Sequence, residues 1–286
     1  MVSIVGAGRM GAAMAGTLMR AGESVTVYNR TRERAEAIDG ATVARTAREA
    51  AAGAEVVIVS LADDDAARDA YGGPEGLVAG LRPGTVVLET STLSPGVVRE
   101  LAPLVEERGA ALLDAPVSGS VPLVERGELT FMVGGDAAAL EAVRPLLDVL
   151  GKRVFHLGGH GAGAIMKLAV NSALHGLNQA IAEALVLAEK AGIERSAAYE
   201  VFASSALAAP FVLYKRAAYE RPDETPAAFT LGLVAKDLAL AAGLAAEAGT
   251  PMPQLTVNRN MVAAAVDAGL AEADMSALAV LLRDYS

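Results

Sequence analysis

A doubly wound, mainly parallel α/β sheet followed by an all-α domain is the fold class that three features of the sequence predict. Short apolar runs of strand length alternate with helical patterns through the first half of the chain, as in consecutive βαβ units. A glycine-rich turn, Gly6-Ala7-Gly8-Arg9-Met10-Gly11, joins the first strand to the first helix. From Gly163 onward, long alanine- and leucine-rich helical patterns replace the strands.

In chain order, residues 2–5 read as a buried strand, 10–21 as a helix stopped by Gly22, and 24–28 as a second strand. Further strands are expected at 42–43, 55–61, 85–89, 111–115, 129–133 and 153–156. Helices are expected near Ala47, at 95–108 behind an Ser94 cap, and at 136–149. The second half reads as helices at 163–191, 195–204, 231–248, 251–268 and 274–283, separated by glycine or proline. The boundaries expected are a dinucleotide-binding domain over 1–160, a long helix over 161–191 and a helical domain over 192–286.

Composition narrows the function. Hydrophobic residues make up 53% of the 286-residue chain, so either apolar surface is buried between subunits or the chain enters a membrane. The longest apolar helical stretch is interrupted by Lys167, Asn171, His175, Asn178, Gln179 and Glu183, which argues against a membrane span and for a homodimer or homotetramer. A net charge of −10 offers nucleic acid and anionic lipid little attraction. Without cysteine there is no thiolate catalysis or disulfide, and with three histidines no metal site is expected. Met1 leads straight into a strand pattern without an export signal, so a cytoplasmic protein is expected.

The glycine turn carries the chemistry of the first half. Gly6 makes the turn, Gly8 lets the backbone approach a pyrophosphate, and Gly11 lets helix pack on strand, with Arg9 and Met10 at the helix N-terminus that faces the phosphates. Where an acid at the end of the second strand would accept from the ribose of NAD, this chain has Asn29-Arg30-Thr31-Arg32. An uncharged amide followed by guanidinium groups favours the 2′-phosphate of NADP(H), with NAD(H) still possible. Ligands in such sheets sit at the carboxyl ends of the strands. The loops there are 60–64, with Leu61 beside the cofactor, 89–95, with Thr92 toward the pocket, and 114–120, with Ser118 and Gly119. Hydroxyls and backbone N–H groups in the last two suit a small carboxylate.

The second half opens on Gly158-x-x-Gly161-x-Gly163-x-x-x-Lys167-x-x-x-Asn171. The four-residue step sets a cation and an amide on one helix face among apolar or small neighbours, where a lysine can move a proton.

With Glu89-x-Ser91-Thr92, 114–119, the Lys167/Asn171 helix and the later Phe229 through Lys236-Asp237-Leu238 added to the glycine turn, the chain resembles the β-hydroxyacid dehydrogenase family along essentially its whole length. The resemblance implies a Rossmann domain, a long interdomain helix, an all-α C-terminal domain, and an active site in the cleft between them. By the same resemblance Lys167 is the catalytic lysine, Asn171 its partner, and Ser118 and Gly119 the holders of the substrate carboxylate. Thr92 would lie near the nicotinamide, Lys236 beside cofactor and substrate, and Phe229 and Asp237 along the helical side. Two departures stand out: Ser120 where the family has glycine, and His160 in the turn before the helix, with no assigned role. Read on its own, Lys236-Asp237 is a surface ion pair.

The expected activity is hydride transfer between NADP(H) and a short-chain β-hydroxy acid or its semialdehyde or keto acid, of the 3-hydroxyisobutyrate, glyoxylate or succinic semialdehyde type. Lys167 acts as general acid in reduction and general base in oxidation. The alternatives are an imine reductase-like enzyme, whose relatives place Asp or Tyr where Lys167 stands, the longer 6-phosphogluconate dehydrogenases with a more basic phosphate site, and a non-catalytic dinucleotide-binding module.

Overall fold

The computed structural model describes residues 1–283 and divides the chain into two compact units, Met1–Lys167 and Leu168–Ser286. The first runs β1 (Val2–Val5), α1 (Arg9–Arg20), β2 (Val25–Tyr28), α2 (Arg32–Glu36), β3 (Thr42–Val43), α3 (Ala47–Ala51) and β4 (Val56–Val59). It continues with α4 (Asp64–Tyr71), α5 (Leu77–Gly80), β5 (Val86–Glu89), α6 (Pro95–Glu106), β6 (Ala111–Asp114), β7 (Val117–Ser118), α7 (Val121–Glu125), β8 (Leu129–Gly135), α8 (Ala137–Leu150) and β9 (Gly151–Gly158). The nine strands form one sheet in the order β3-β2-β1-β4-β5-β6-β8-β7, with β9 paired to β8. Pairing is parallel from β3 to β6, antiparallel where β8 meets β6 and β7, and parallel again at β9.

The two-residue period of a strand sends alternate side chains to opposite faces, and here both faces are covered. Ile4, Val27, Ile58 and Leu88 pack with Met14 and Leu18 of α1 and Leu140 and Leu147 of α8. Val5, Val57, Val59 and Val87 pack on the other side with Tyr71, Leu77, Val98 and Leu101. Each such buried Leu or Val contributes about 1.5–3 kcal/mol, so the alternation settles the register. The chain order reverses between β1 and β4, and the carboxyl ends of these strands carry Gly6 and Ser60.

The second unit begins inside α9 (Ala162–Lys190), a 29-residue helix stopped by Gly192 at φ 92°. It is followed by α10 (Arg195–Ser204), α11 (Pro210–Glu220), α12 (Leu231–Glu247), α13 (Pro253–Ala265), a π turn (Val266–Leu270), a 3₁₀ turn (Met275–Ala277) and α14 (Leu278–Arg283). Leu168, Leu185, Tyr199, Leu238 and Leu278 meet in one core.

Several boundaries differ from the sequence reading. Helix α11 was not foreseen, although Pro210 stands at its first position, where its missing N–H costs nothing. The helix expected over 251–268 ends at Ala265, because the chain turns through Gly269 at φ 84°. The helix expected from Asp274 starts as a 3₁₀ turn capped by that residue. Ser94 caps α6 as expected, accepting from the Val97 N–H. Among the described residues, no helix is long and apolar enough to cross a membrane.

Candidate active site

The glycine turn after β1 is held by its neighbours. Gly6 has φ 106°, and a Cβ there would overlap the Ser60 carbonyl oxygen; one at Gly11 would overlap the Gly6 carbonyl. At Gly8, by contrast, no protein atom lies within 4 Å of where a Cβ would stand. Two glycines are therefore required by packing, and the third leaves open space at the start of α1. That helix has no side-chain cap and no acidic residue in its first turn, so its N–H groups and positive dipole end suit a diphosphate. The residues fit a dinucleotide. Asn29 ties the second strand to this turn, accepting from the Ala7 N–H at 2.9 Å and donating to the Thr31 carbonyl at 2.8 Å. Arg9 and Arg30 are exposed, Met10 is half-buried, and Arg32 pairs with Glu36 at 2.7 Å, which draws its guanidinium toward its own helix.

Beside it, the ends of β4 and β5 are tied together. Glu89 is buried and accepts from the Tyr71 hydroxyl and the Ser91 N–H, both at 2.9 Å. The Ser91 hydroxyl accepts from the Leu61 N–H at 2.7 Å. Thr92 follows, half-buried.

The 114–120 segment holds a surprise for the sequence reading, which placed it whole in a ligand loop. Asp114 ends β6 and turns its carboxylate inward, accepting from Gly161 N at 3.0 Å and Ala164 N at 2.9 Å. It thereby caps α9 from a strand about fifty residues earlier, which aligns the helix carrying Lys167. Burial pushes its carboxyl up, against the pull of these N–H groups. Gly163 is needed here because a Cβ would overlap the Met132 and Asp114 carbonyls. Ser118 is half-buried and Gly119 is exposed at φ 145°. Ser120 has φ −121°, which any residue adopts, so its departure from glycine leaves the loop unstrained.

His160 acquires a structural role: its Nε2 meets the Leu112 carbonyl at 2.9 Å, while Nε2 of His156, four residues earlier, meets that of Gly135. Both rings are thus engaged by backbone, and among the described residues no cluster of three metal-ligating side chains occurs.

In the helical unit, Lys236-Asp237 is no surface pair. Asp237 is 1% exposed and accepts from Asn171 Nδ2 at 2.6 Å, with Lys236 Nζ 3.0 Å from its other oxygen. A carboxylate only accepts, so Asn171 must face it with its NH2 and present Oδ1 elsewhere. Buried His175, one turn beyond Asn171, stacks on Phe229 at 6.0 Å and places Nε2 3.9 Å from Asp237. Sequence reading missed His175 in this cluster, although its i+4 step from Asn171 was visible. Lys167, half-buried, lies one turn before Asn171 on α9.

Comparison with known proteins decides the family. Residues 1–158 match the model for the NAD binding domain of 6-phosphogluconate dehydrogenase, and residues 161–282 that for the NAD-binding domain of NADP-dependent 3-hydroxyisobutyrate dehydrogenase. The chain belongs to the β-hydroxyacid dehydrogenase family. It is an NAD(P)-dependent oxidoreductase. The NAD-dependent L-serine dehydrogenase of Pseudomonas aeruginosa is 38% identical, over 96% of this chain and 95% of that one. The chloroplastic glyoxylate/succinic semialdehyde reductase 2 of Arabidopsis thaliana is 32% identical, over 99% and 79%. The solved 3-hydroxyisobutyrate dehydrogenase of Mycobacterium tuberculosis with L-serine is 33% identical, with a TM-score of 0.83 and coverage of 99% and 98%.

Proposed function

We propose that this chain moves a hydride between NADP(H) and a short β-hydroxy acid or its semialdehyde or keto acid, of the 3-hydroxyisobutyrate, glyoxylate or succinic semialdehyde type. The observation that carries the reading is the pairing of Lys167 with Asn171 on a helix whose start is capped by Asp114 and whose Asn171 is locked by Asp237. Asn171 is thereby held in one orientation, one helical turn from Lys167.

When bound, the nicotinamide supplies or accepts the hydride. Lys167 then handles the proton: its ammonium donates to the carbonyl oxygen in reduction, and its amine takes the hydroxyl proton in oxidation. The same ammonium stabilises the developing alkoxide. Asn171, with Nδ2 given to Asp237, offers Oδ1 to a hydroxyl or ammonium proton. Ser118 and the Gly119 backbone hold the substrate carboxylate, while Thr92, Lys236, Phe229 and Asp237 shape its surroundings. Gly6, Gly8, Arg9, Met10, Gly11, Asn29, Thr31 and Leu61 receive the dinucleotide, and Arg30 binds the 2′-phosphate. NAD(H) is the second reading, since the relative from Pseudomonas aeruginosa is described as NAD-dependent and its likeness to this chain is extensive. Lysine at position 167 weighs against imine reduction.

We further read the protein as a cytoplasmic homodimer or homotetramer with neither nucleic acid nor membrane as partner. The exposure of Leu187, Ile193, Val201 and Leu213 on the helical unit supports burial against a second copy. The test follows reduced-nicotinamide absorbance with NADPH and NADH in parallel over short hydroxy acids, including serine, the matching aldehyde and keto acids, and a cyclic imine. Turnover of a carboxylate substrate, faster with NADPH, is the expected result; turnover of the imine alone refutes it. Lys167→Ala is expected to lower kcat about 10²–10⁴-fold while NADPH affinity stays nearly constant.

A further inference from the structure

Glu89 is a buried acid that hydride transfer does not use. It ends β5, 1% exposed, and the groups that act on it are Ser91, Tyr71 and Asp114. Tyr71 reaches it from α4, fully buried, and Ser91 from the following loop. On β6 its register partner is Asp114, another acid, and on β4 it is Val59, which brings no charge. Ser91 is the hinge of the arrangement. Its hydroxyl oxygen accepts from the Leu61 N–H, which leaves the hydroxyl proton for Glu89. Ser60, next to Leu61, presents the carbonyl that walls off Gly6 in the dinucleotide turn. A continuous run of short contacts thus leads from the carboxylate to the glycine turn, and Thr92 follows directly on Ser91.

We propose that Glu89 is a positioning residue for the cofactor: its ionised carboxylate, acting through Ser91, holds Leu61 and Thr92 in the arrangement that receives the dinucleotide. This rests on the assignment of Leu61 and Thr92 to the cofactor site. An ionised carboxylate accepts from all of its donors at once, whereas the protonated acid brings a donor of its own to a place already filled with donors. Burial pushes the Glu89 carboxyl up to about 7, against the pull of the Ser91 and Tyr71 donors and with Asp114 adding to the rise. The device therefore loosens within the neutral range.

The test is dinucleotide binding, followed by fluorescence between about pH 6 and pH 8.5, for wild type, Glu89→Gln and Tyr71→Phe. NADPH and NADH are used in parallel, because the 2′-phosphate of NADPH titrates near about pH 6 and NADH has none. Wild-type affinity for both is expected to fall as the pH drops through neutrality. Tyr71→Phe removes a donor to the carboxylate, so the fall should move to higher pH. Glu89→Gln should bind about tenfold more weakly above neutrality and show no such step with NADH. A Gln variant that keeps the wild-type step and binds within about twofold overturns the proposal. Should that variant not fold, an unmoved midpoint in Tyr71→Phe overturns it equally. The readout needs no substrate, so a failed search for turnover leaves it standing, whereas a wild type that binds neither dinucleotide overturns both.

Discussion

The sheet unit and the helical unit treat buried acids in opposite ways. In the sheet unit Glu89 accepts from hydroxyl and backbone donors and Asp114 from backbone N–H groups, and burial raises both. In the helical unit Asp237 pairs with Lys236, and Asp274 pairs with buried Lys215 at 2.6 Å. Burial also opposes the Asp274 charge, yet Lys215 and the N–H groups of Ser276 and Ala228 hold its carboxyl below the usual range. The contrast follows from what each scaffold offers. Strand ends and helix starts supply N–H groups at the sheet's edge; in the helical unit Asp274 takes such N–H groups as well, and the added charge of Lys215 is what turns the balance.

The comparison can be broken most severely at Lys215. Lys215→Ala strands Asp274 as an uncompensated buried charge, and a loss of about 3–5 kcal/mol in urea unfolding is expected. Asp274 also accepts from the Ala228 N–H, so the segment leading to Phe229 should loosen with it. In the sheet unit, Asp114→Asn keeps one acceptor but turns an amide donor on Gly161 or Ala164, at a cost of about 1–3 kcal/mol. Because this cap aligns α9, kcat should fall alongside stability, which kinetics and unfolding on the same variant will check.

The pH dependence of stability sharpens the contrast. A raised folded-state pKa, as for Glu89, contributes stability at acid pH that is lost as pH rises through about 7. A lowered one, as for Asp274, contributes stability above the ordinary carboxylate range that is lost in acid. Thermal melts of Glu89→Gln should accordingly gain on wild type between about pH 5.5 and pH 8, and a constant difference would remove the account. The smallest effect is expected at Ser120, where Ser120→Gly relieves no strain and should change stability by less than about 0.5 kcal/mol.

Much of the sheet unit was legible because its signals are local. The strand alternation, the Gly6 turn and the Ser94 cap each lie within a few residues of what they determine. The site was legible only in part. Lys167 and Asn171 are one helical turn apart, so spacing sets them side by side. Without the family resemblance Asp237 read as superficial, because adjacent Lys and Asp on a helix look alike whether exposed or buried, and only packing puts the acid inside. His160 had no role until β6 supplied the Leu112 carbonyl.

The sequence by itself determined the βαβ alternation, the dinucleotide turn and the lysine helix, because hydrophobic period and glycine placement act over a few bonds. Tertiary structure alone decided which acid serves which partner. Asp114 caps α9, Glu89 joins Tyr71 and Ser91, and Asp237 locks Asn171 across 66 positions. Such pairings carry no sequence period, and their energies arise only when burial removes water as the competing partner.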